Sequence, residues 1–203
     1  LGISRTQLRD GLAVLEQNGF ITRRRGVGAS INRHVADIKV RIDLEVEFLD
    51  MIEQAGFRPA SEVLEIDTVS HDEKVAAKLG VAPSSRILKV KKLYTADGQP
   101  AILCTDHIAY EKIKKFDYSL EELGLPIFHF IENYCLTSIL MDITEIIPVN
   151  ADAELAKHLN VREGEAILYL DEIAYNENND IILYSEEYYV NGLINHMVLR
   201  KKI

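Results

Sequence analysis

The segment from Asp72 to Tyr110 aligns without a gap on the segment from Asp152 to Val190, at an offset of 80 residues. Asp72, Ala76, Leu79, Val81, Ile87, Leu88, Ile102 and Leu103 meet identical residues at 152, 156, 159, 161, 167, 168, 182 and 183. Each copy reads as a short helix, a turn at a valine, a long strand, a polar turn and a second long strand. The polar turns are Asp97-Gly98-Gln99 and Asn176-Glu177-Asn178-Asn179, residues that tolerate the backbone conformations of tight hairpins. Shared patterning of two unrelated helix–hairpin units is the alternative reading. The ungapped register over 39 positions favours duplication. Two long hairpins with short helices between them predict an α+β domain built on an antiparallel sheet. A ligand pocket is expected where the two related halves meet.

The remaining elements fit around that pair. Residues 60–71 read as a strand, Pro126 starts a short helix through about Tyr134, and residues 137–149 read as another strand. Asp43 is placed to cap a helix that runs to about Gln54 and ends at Gly56. Asn32 to Arg41 shows no clear period and reads as a linker.

The N-terminal stretch has a different character. Ser4 is a good N-cap, and Leu8, Leu12 and Leu15 recur at the spacing of one buried helix face. Arg5, Thr6 and Arg9 lie off that stripe. Asn18-Gly19 stops the helix, and residues 20–24 and 28–31 read as two short strands around the tight turn Arg25-Gly26-Val27. A helix followed at once by a ribbon with a basic, glycine-rich tip is half of a winged helix. Charge follows the same division. Residues 1–33 carry six arginines (5, 9, 23, 24, 25 and 33) against Asp10 and Glu16, whereas the remainder has 17 Lys and Arg against 30 Asp and Glu. A basic segment suits a polyanion, and the acidic remainder is expected to do something else.

Several function classes are disfavoured. No apolar run approaches the ~20 residues that cross a bilayer, and Arg5, Arg9 and Asp10 fall where a signal peptide would need an apolar stretch. The two cysteines, Cys104 and Cys135, suit a reduced, cytoplasmic setting. Histidines 34, 71, 107, 129, 158 and 196 show no metal-ligand spacing, so neither metal nor other cofactor is expected. Glu121-Glu122 and Glu186-Glu187 are adjacent carboxylates, but adjacency in sequence does not aim two groups at one substrate. A chain that opens on Leu1 in the middle of such a motif is expected to begin inside a longer polypeptide.

From Gly2-Ile3-Ser4-Arg5-Thr6-Gln7-Leu8-Arg9-Asp10-Gly11-Leu12 through Gly19-Phe20-Ile21 to Arg24-Arg25-Gly26-Val27-Gly28, the chain resembles the GntR family of bacterial regulators. The remainder of the chain resembles the UTRA effector-binding domain of the HutC-type subfamily, which has a chorismate-lyase-like fold. The residues that carry this second likeness are Leu79-Gly80-Val81, Lys89 to Lys92, Asp97-Gly98-Gln99-Pro100 and Ser185-Glu186-Glu187-Tyr188-Tyr189. The resemblance implies three parts: the C-terminal part of a winged-helix DNA-binding domain at 1–33, a linker at 34–42 and an effector-binding domain at 43–203. It implies a ligand-responsive repressor that binds double-stranded operator DNA as a homodimer and is no enzyme. The alternative is an enzyme of the chorismate-lyase-like fold. Carried over by position, Arg5, Thr6 and Arg9 would contact bases and phosphates, with Ser4 and Gln7 nearby, and Arg25, Gly26 and Gly28 would form the wing tip. Arginine suits such roles because its planar fork matches guanine edges and phosphate.

The small-molecule effector is the less determined partner. Sugar-phosphate-sensing relatives hold their anion with arginines on the strand matching residues 89–96, where this chain has Lys92 and Tyr94. Acidic positions that bind sugar hydroxyls in those relatives fall at Cys104 and Leu183, and a phosphate-binding serine falls at Pro126 beside Phe128. Tyr189 keeps the family's tyrosine. Lysine offers a point charge in place of a bidentate fork. The pocket expected from these residues is apolar and aromatic, lined by Lys92, Tyr94, Cys104, Phe128, Leu183 and Tyr189. It suits a flat or apolar ligand with at most one anionic group.

Overall fold

Ser4 and Gln7 close a capping box: the Ser4 hydroxyl accepts from the Gln7 backbone N–H at 3.2 Å and the Gln7 side chain accepts from the Ser4 backbone N–H at 2.9 Å. Two orphan amides are thereby satisfied, and helix α1 runs Arg5–Gln17. Strands β1 (Ile21–Arg24) and β2 (Gly28–Ile31) pair antiparallel from Ile21↔Ile31 to Arg24↔Gly28. The turn between them places Gly26 and Gly28 at φ 79° and 106°, a region open to glycine and costly for other residues. Asn32 ties this unit together, donating its side-chain amide to the Gly19 carbonyl at 2.7 Å and the Thr22 hydroxyl at 3.0 Å. A short helix, α2 (Arg33–Ala36), then buries Val35.

The computed structural model describes residues 2–70 and 72–201, in two units. One comprises residues up to Leu44 together with those from His196 onward, the other Glu45–Asn195. This differs from the expected boundaries in two places. Residues 34–42 are not a free linker, because Arg41 is buried with its guanidinium on the Asp43 carboxylate and on the Asn18 carbonyl at 2.8 Å. The C-terminal residues do not belong with the large sheet either. Lys201 donates to the Glu16 and Gln17 carbonyls at 2.5 and 2.7 Å, a cation at the C-terminal end of α1 where the helix dipole favours one. The leucine stripe of α1 also departs from expectation. Leu8 and Leu15 are 46% and 42% exposed, because β1 and β2 meet only the C-terminal end of the helix and nothing else among the described residues covers the rest.

In the second unit, helix α3 spans Phe48–Ala55 and stops at Gly56 in the left-handed region. It starts later than the expected Asp43, whose carboxylate is taken by Arg41. Next along the chain are β3 (Pro59–Ser70), α4 (Glu73–Lys78), β4 (Ile87–Ala96) and β5 (Gln99–Ala109). Helix α5 (Ile127–Phe130) runs into one π-helical turn at Ile131–Cys135, and then come β6 (Met141–Asn150), α6 (Ala153–Leu159), β7 (Ala166–Tyr175) and β8 (Ile181–Tyr189). Asp72 and Asp152 cap α4 and α6 in the same way, each accepting backbone N–H bonds of the first turn.

The six strands form one antiparallel sheet in the order β3-β4-β5-β8-β7-β6. That order is symmetric about the β5–β8 pair under the 80-residue offset, each strand of one half taking the place of its counterpart in the other. The register agrees. Thr105 pairs with Glu186 and Asp106 with Ser185, and the offset exchanges these two pairs, so the pseudo-twofold axis passes between them. Helices α4 and α6 cover one face, packing Val75, Leu79 and Leu159 on Ile87, Leu103 and Ile167. The other face is covered by α5 and its π-helical turn, with Phe130 and Ile131 on Leu88, Val90, Ile108 and Leu183.

Candidate functional site

The second face of the sheet holds a pocket at the pseudo-twofold axis. Strands β5 and β8 supply its floor with Asp106, Ser185, Glu187 and Leu183, and β7 adds Glu172. The walls are Ile127 and Phe128 of α5 and the entry to α3, from Glu45 to Phe48. The space enclosed between these atoms is narrow, with room for about one water. A roomier, more open depression shares Glu45 and Phe128 with it and continues to Glu132 and to residues 138–142.

Carboxylates dominate this site. Asp106 is 1% exposed; its Oδ1 accepts from the Ser185 hydroxyl at 2.9 Å and the Cys104 thiol at 3.3 Å, while its Oδ2 has no hydrogen-bond partner. Glu187 is buried and accepts from the Tyr189 hydroxyl at 2.6 Å. Burial, then the neighbouring Glu172 charge, pushes the Glu187 carboxyl well above the ordinary range. Glu172 accepts from the Thr144 hydroxyl at 2.6 Å and is raised first by its burial. Glu47 is pushed up to about 7 by burial and then by Asp106. Glu45 stands at the mouth, largely exposed as a residue, yet its carboxyl end is raised by desolvation and by Glu172 and Asp142. Oxygens of Glu45, Asp142 and Glu172 lie within 4.8 Å of one another. In Glu45, Glu47, Glu172 and Glu187 burial is the largest effect and favours the neutral acid.

The six residues expected to bind the effector divide by depth. Phe128 and Leu183 line the pocket. Tyr94 and Tyr189 are buried behind Phe48, with ring centroids 4.8 and 6.3 Å from it. Cys104 is buried beneath Asp106, and burial keeps its thiol protonated. Lys92 is fully buried and donates its ammonium to the Leu125 carbonyl at 2.5 Å, so it braces the segment before α5. Of the expected residues, Phe128 and Leu183 thus face the space together with Phe48 and Ile127, while Tyr94 and Tyr189 form a second layer. Five carboxylates outside the expected set, Glu45, Glu47, Asp106, Glu172 and Glu187, line it as well. Reading sequence alone missed Glu45, Glu47, Asp106, Glu172 and Glu187. Glu172 and Asp106 did carry a signal, since each occupies an inward-facing strand position between apolar neighbours, Leu170 and Ala174 or Cys104 and Ile108.

In the first unit, Ser4, Arg5, Thr6, Gln7 and Arg9 are exposed at the start of α1, and Arg25, Gly26 and Gly28 are exposed at the ribbon tip. Ser4 and Gln7 use their side chains on each other as a cap. Arg23 points back to Glu16, at 2.5 Å, fixing the ribbon to the helix. Arg5, Arg24 and Arg25 have no ion-pair partner among the described residues, and Arg9 has only Asp10 at 4.0 Å. His71 lies outside the described residues; among those described, the other histidines join no metal-binding group. Among the described residues no helix is long and apolar enough to cross a membrane.

Comparison with known proteins agrees with this geometry. The model of the UTRA domain matches residues 54–192. The HTH-type transcriptional repressor NagR of Bacillus subtilis is 24% identical over 188 residues, covering 93% of this chain and 76% of that protein. The HTH-type transcriptional regulator YurK of the same organism is 21% identical, covering 90% and 74%. The crystal structure of YydK from Bacillus subtilis superposes with a TM-score of 0.82 at 22% identity, covering 98% of this chain and 84% of that one. PhnF from Mycobacterium smegmatis gives 0.69 at 17% identity, covering 98% and 86%.

Proposed function

The chain belongs to the UTRA-domain family and is a transcription regulator of the GntR type; from that premise we propose that it is a repressor whose hold on operator DNA is set by a small molecule in the second unit. The protein acts in the cytoplasm as a homodimer on a palindromic site, since one short helix and one wing read a half-site. Arg5, Thr6 and Arg9 contact bases and phosphates from α1, and Arg25, Gly26 and Gly28 bring the wing to the backbone. The effector binds in the pocket at the β5–β8 axis.

The observation that carries this reading is the set of exposed arginines 5, 24 and 25, whose charges meet no carboxylate among the described residues, beside glycines that let a partner approach the backbone closely. Fluorescence anisotropy of the intact protein on DNA from its own promoter tests it. Arg9→Ala should cost roughly 1–3 kcal/mol at a matched site, and affinity should fall steeply with added salt. Binding that ignores salt and survives Arg9→Ala together with Arg25→Ala would refute it.

A further inference from the structure

Among the described residues, the lining of the axial pocket and of the depression joined to it includes seven carboxylates, Glu45, Glu47, Asp106, Glu132, Asp142, Glu172 and Glu187, and no basic side chain. Lys92 acts on Glu47 from outside the lining, and its ammonium donates to the Leu125 carbonyl. We propose that the effector is an organic cation, a protonated amine on a small apolar body, with its ammonium at Asp106, Glu172 and Glu187. This rests on the reading that the second unit binds a ligand, and it names the chemistry of that ligand.

The unpartnered oxygen of Asp106 is the observation that points to a ligand. A buried carboxylate oxygen without a donor is costly, and Asp106 Oδ2 has none although the residue is only 1% exposed and lines the pocket. An ammonium supplies three N–H donors and the missing positive charge in one group. The walls suit the rest of such a molecule. Ile127 and Leu183 offer apolar surface to a carbon body, and the rings of Phe48 and Phe128 stand where a cation gains from aromatic faces. An anionic ligand would meet seven carboxylates against a single buried cation, Lys92, that lies outside the lining. A bare divalent ion would be satisfied by the oxygens of Glu45, Asp142 and Glu172 at the mouth, leaving Asp106 and Glu187 as they are and the apolar walls unused.

Isothermal calorimetry and thermal unfolding of the intact protein test the proposal with benzylamine, 1,4-diaminobutane and 1,5-diaminopentane. Benzyl alcohol serves as the neutral control, with glucosamine 6-phosphate and the chlorides of magnesium, calcium and manganese as competing chemistries. At least one amine should bind and raise the unfolding temperature, and benzyl alcohol should do neither. Asp106→Asn and Glu172→Gln should each weaken that amine tenfold or more, whereas Glu186→Gln, on the opposite sheet face, should leave it unchanged. If Asp106→Asn fails to fold, Glu172→Gln carries the test. The proposal is overturned if no amine binds, if only the sugar phosphate or a metal ion does, or if amine affinity survives both pocket variants. Anisotropy on promoter DNA separates the two readings. A response to the sugar phosphate alone would keep the ligand-responsive repressor and sink the amine, whereas an amine that binds without altering DNA affinity would do the reverse.

Discussion

The two faces of the β5–β8 pair are built from alternate residues of the same strands, yet their electrostatics are opposite. On the face covered by α4 and α6, each acid near the axis has a partner: His107 meets Glu186 at 3.1 Å, and Lys78 meets Asp171 at 2.6 Å. Farther out, Lys91 reaches Glu154 at 2.7 Å and Lys89 reaches Glu65 at 2.9 Å. On the pocket face Asp106, Glu172 and Glu187 share only hydroxyl and thiol donors. One residue of register separates the two conditions, because successive side chains on a strand point to opposite faces. A duplicated sheet therefore gives one face on which Glu186 and Asp171 each meet a basic side chain and one on which Asp106, Glu172 and Glu187 meet only hydroxyl and thiol donors. An open surface of buried like charge is costly to the empty protein, and it is the kind of cost a ligand removes.

The largest test of this comparison is Lys92→Ala. Among the described residues Lys92 is the one buried cation on the pocket face, beside Glu47. Its loss removes a hydrogen bond to Leu125, leaves a cavity and deepens the excess of negative charge. A cost of about 3–5 kcal/mol is expected, read as a shift of the urea midpoint. A loss below about 1 kcal/mol would mean that Lys92 is a dispensable ligand contact, and the pocket face would not be electrostatically strained.

The pH dependence sharpens the same contrast. Glu47 is raised from an ordinary 4.5 to about 7, so the native state holds this proton more tightly than the unfolded chain. Its contribution is complete below about pH 4.5 and is lost as pH rises through 7. Glu172 and Glu187 shift in the same direction, each through burial first. The paired acids Glu16, Asp43 and Glu154 are lowered and lose their contributions only at more acid pH. His196, lowered by burial, works in the opposite sense but lies in the first unit. All nine tyrosines fall between residues 94 and 189, so the tyrosine band of the near-ultraviolet dichroism reports on the second unit. Its stability should fall by about 1–3 kcal/mol from about pH 5 to about pH 8. A flat or rising profile would mean that the pocket acids are already compensated.

Much of the fold was legible and much of the site was not, for one reason. The hairpins were readable because their turns need particular residues: Asp97 and Gly98 both take positive φ, and Asn176 accepts from the Asn178 and Asp180 amides. The wing was readable from Gly26 and Gly28 in the same way. The pocket was harder because β5 is buried on both faces from Ala101 to Ala109, and a strand buried on both sides loses the alternation that tells one face from the other. Cys104 shares the pocket face with Asp106 one step along, yet without that alternation Asp106 does not stand out in the sequence. Glu45 and Glu47 fall in the stretch read as the start of a helix capped at Asp43, whereas the helix begins at Phe48 and leaves both acids on the extended entry that lines the pocket.

The smallest test compares one acid from each face. Asp171 is held by Lys78 at 2.6 Å and receives the Tyr169 and Tyr184 hydroxyls at 3.3 and 3.4 Å. Asp171→Asn leaves Lys78 without its counter-charge, although that lysine keeps 38% of its side chain in water, which limits the cost. About 1 kcal/mol of destabilisation is expected near neutral pH. Glu187→Gln is similar in size to the acid it replaces but acts on a group already held toward its neutral form by burial and by Glu172. The amide keeps an oxygen for the Tyr189 hydroxyl and removes a charge that has no cation. It should leave stability unchanged or raise it by up to about 1 kcal/mol, and it should flatten the pH profile of the second unit. The signs matter more than the sizes. If Glu187→Gln destabilised the protein as Asp171→Asn does, the pocket carboxylates would be as well compensated as those under α4 and α6, and the two faces would be electrostatically alike.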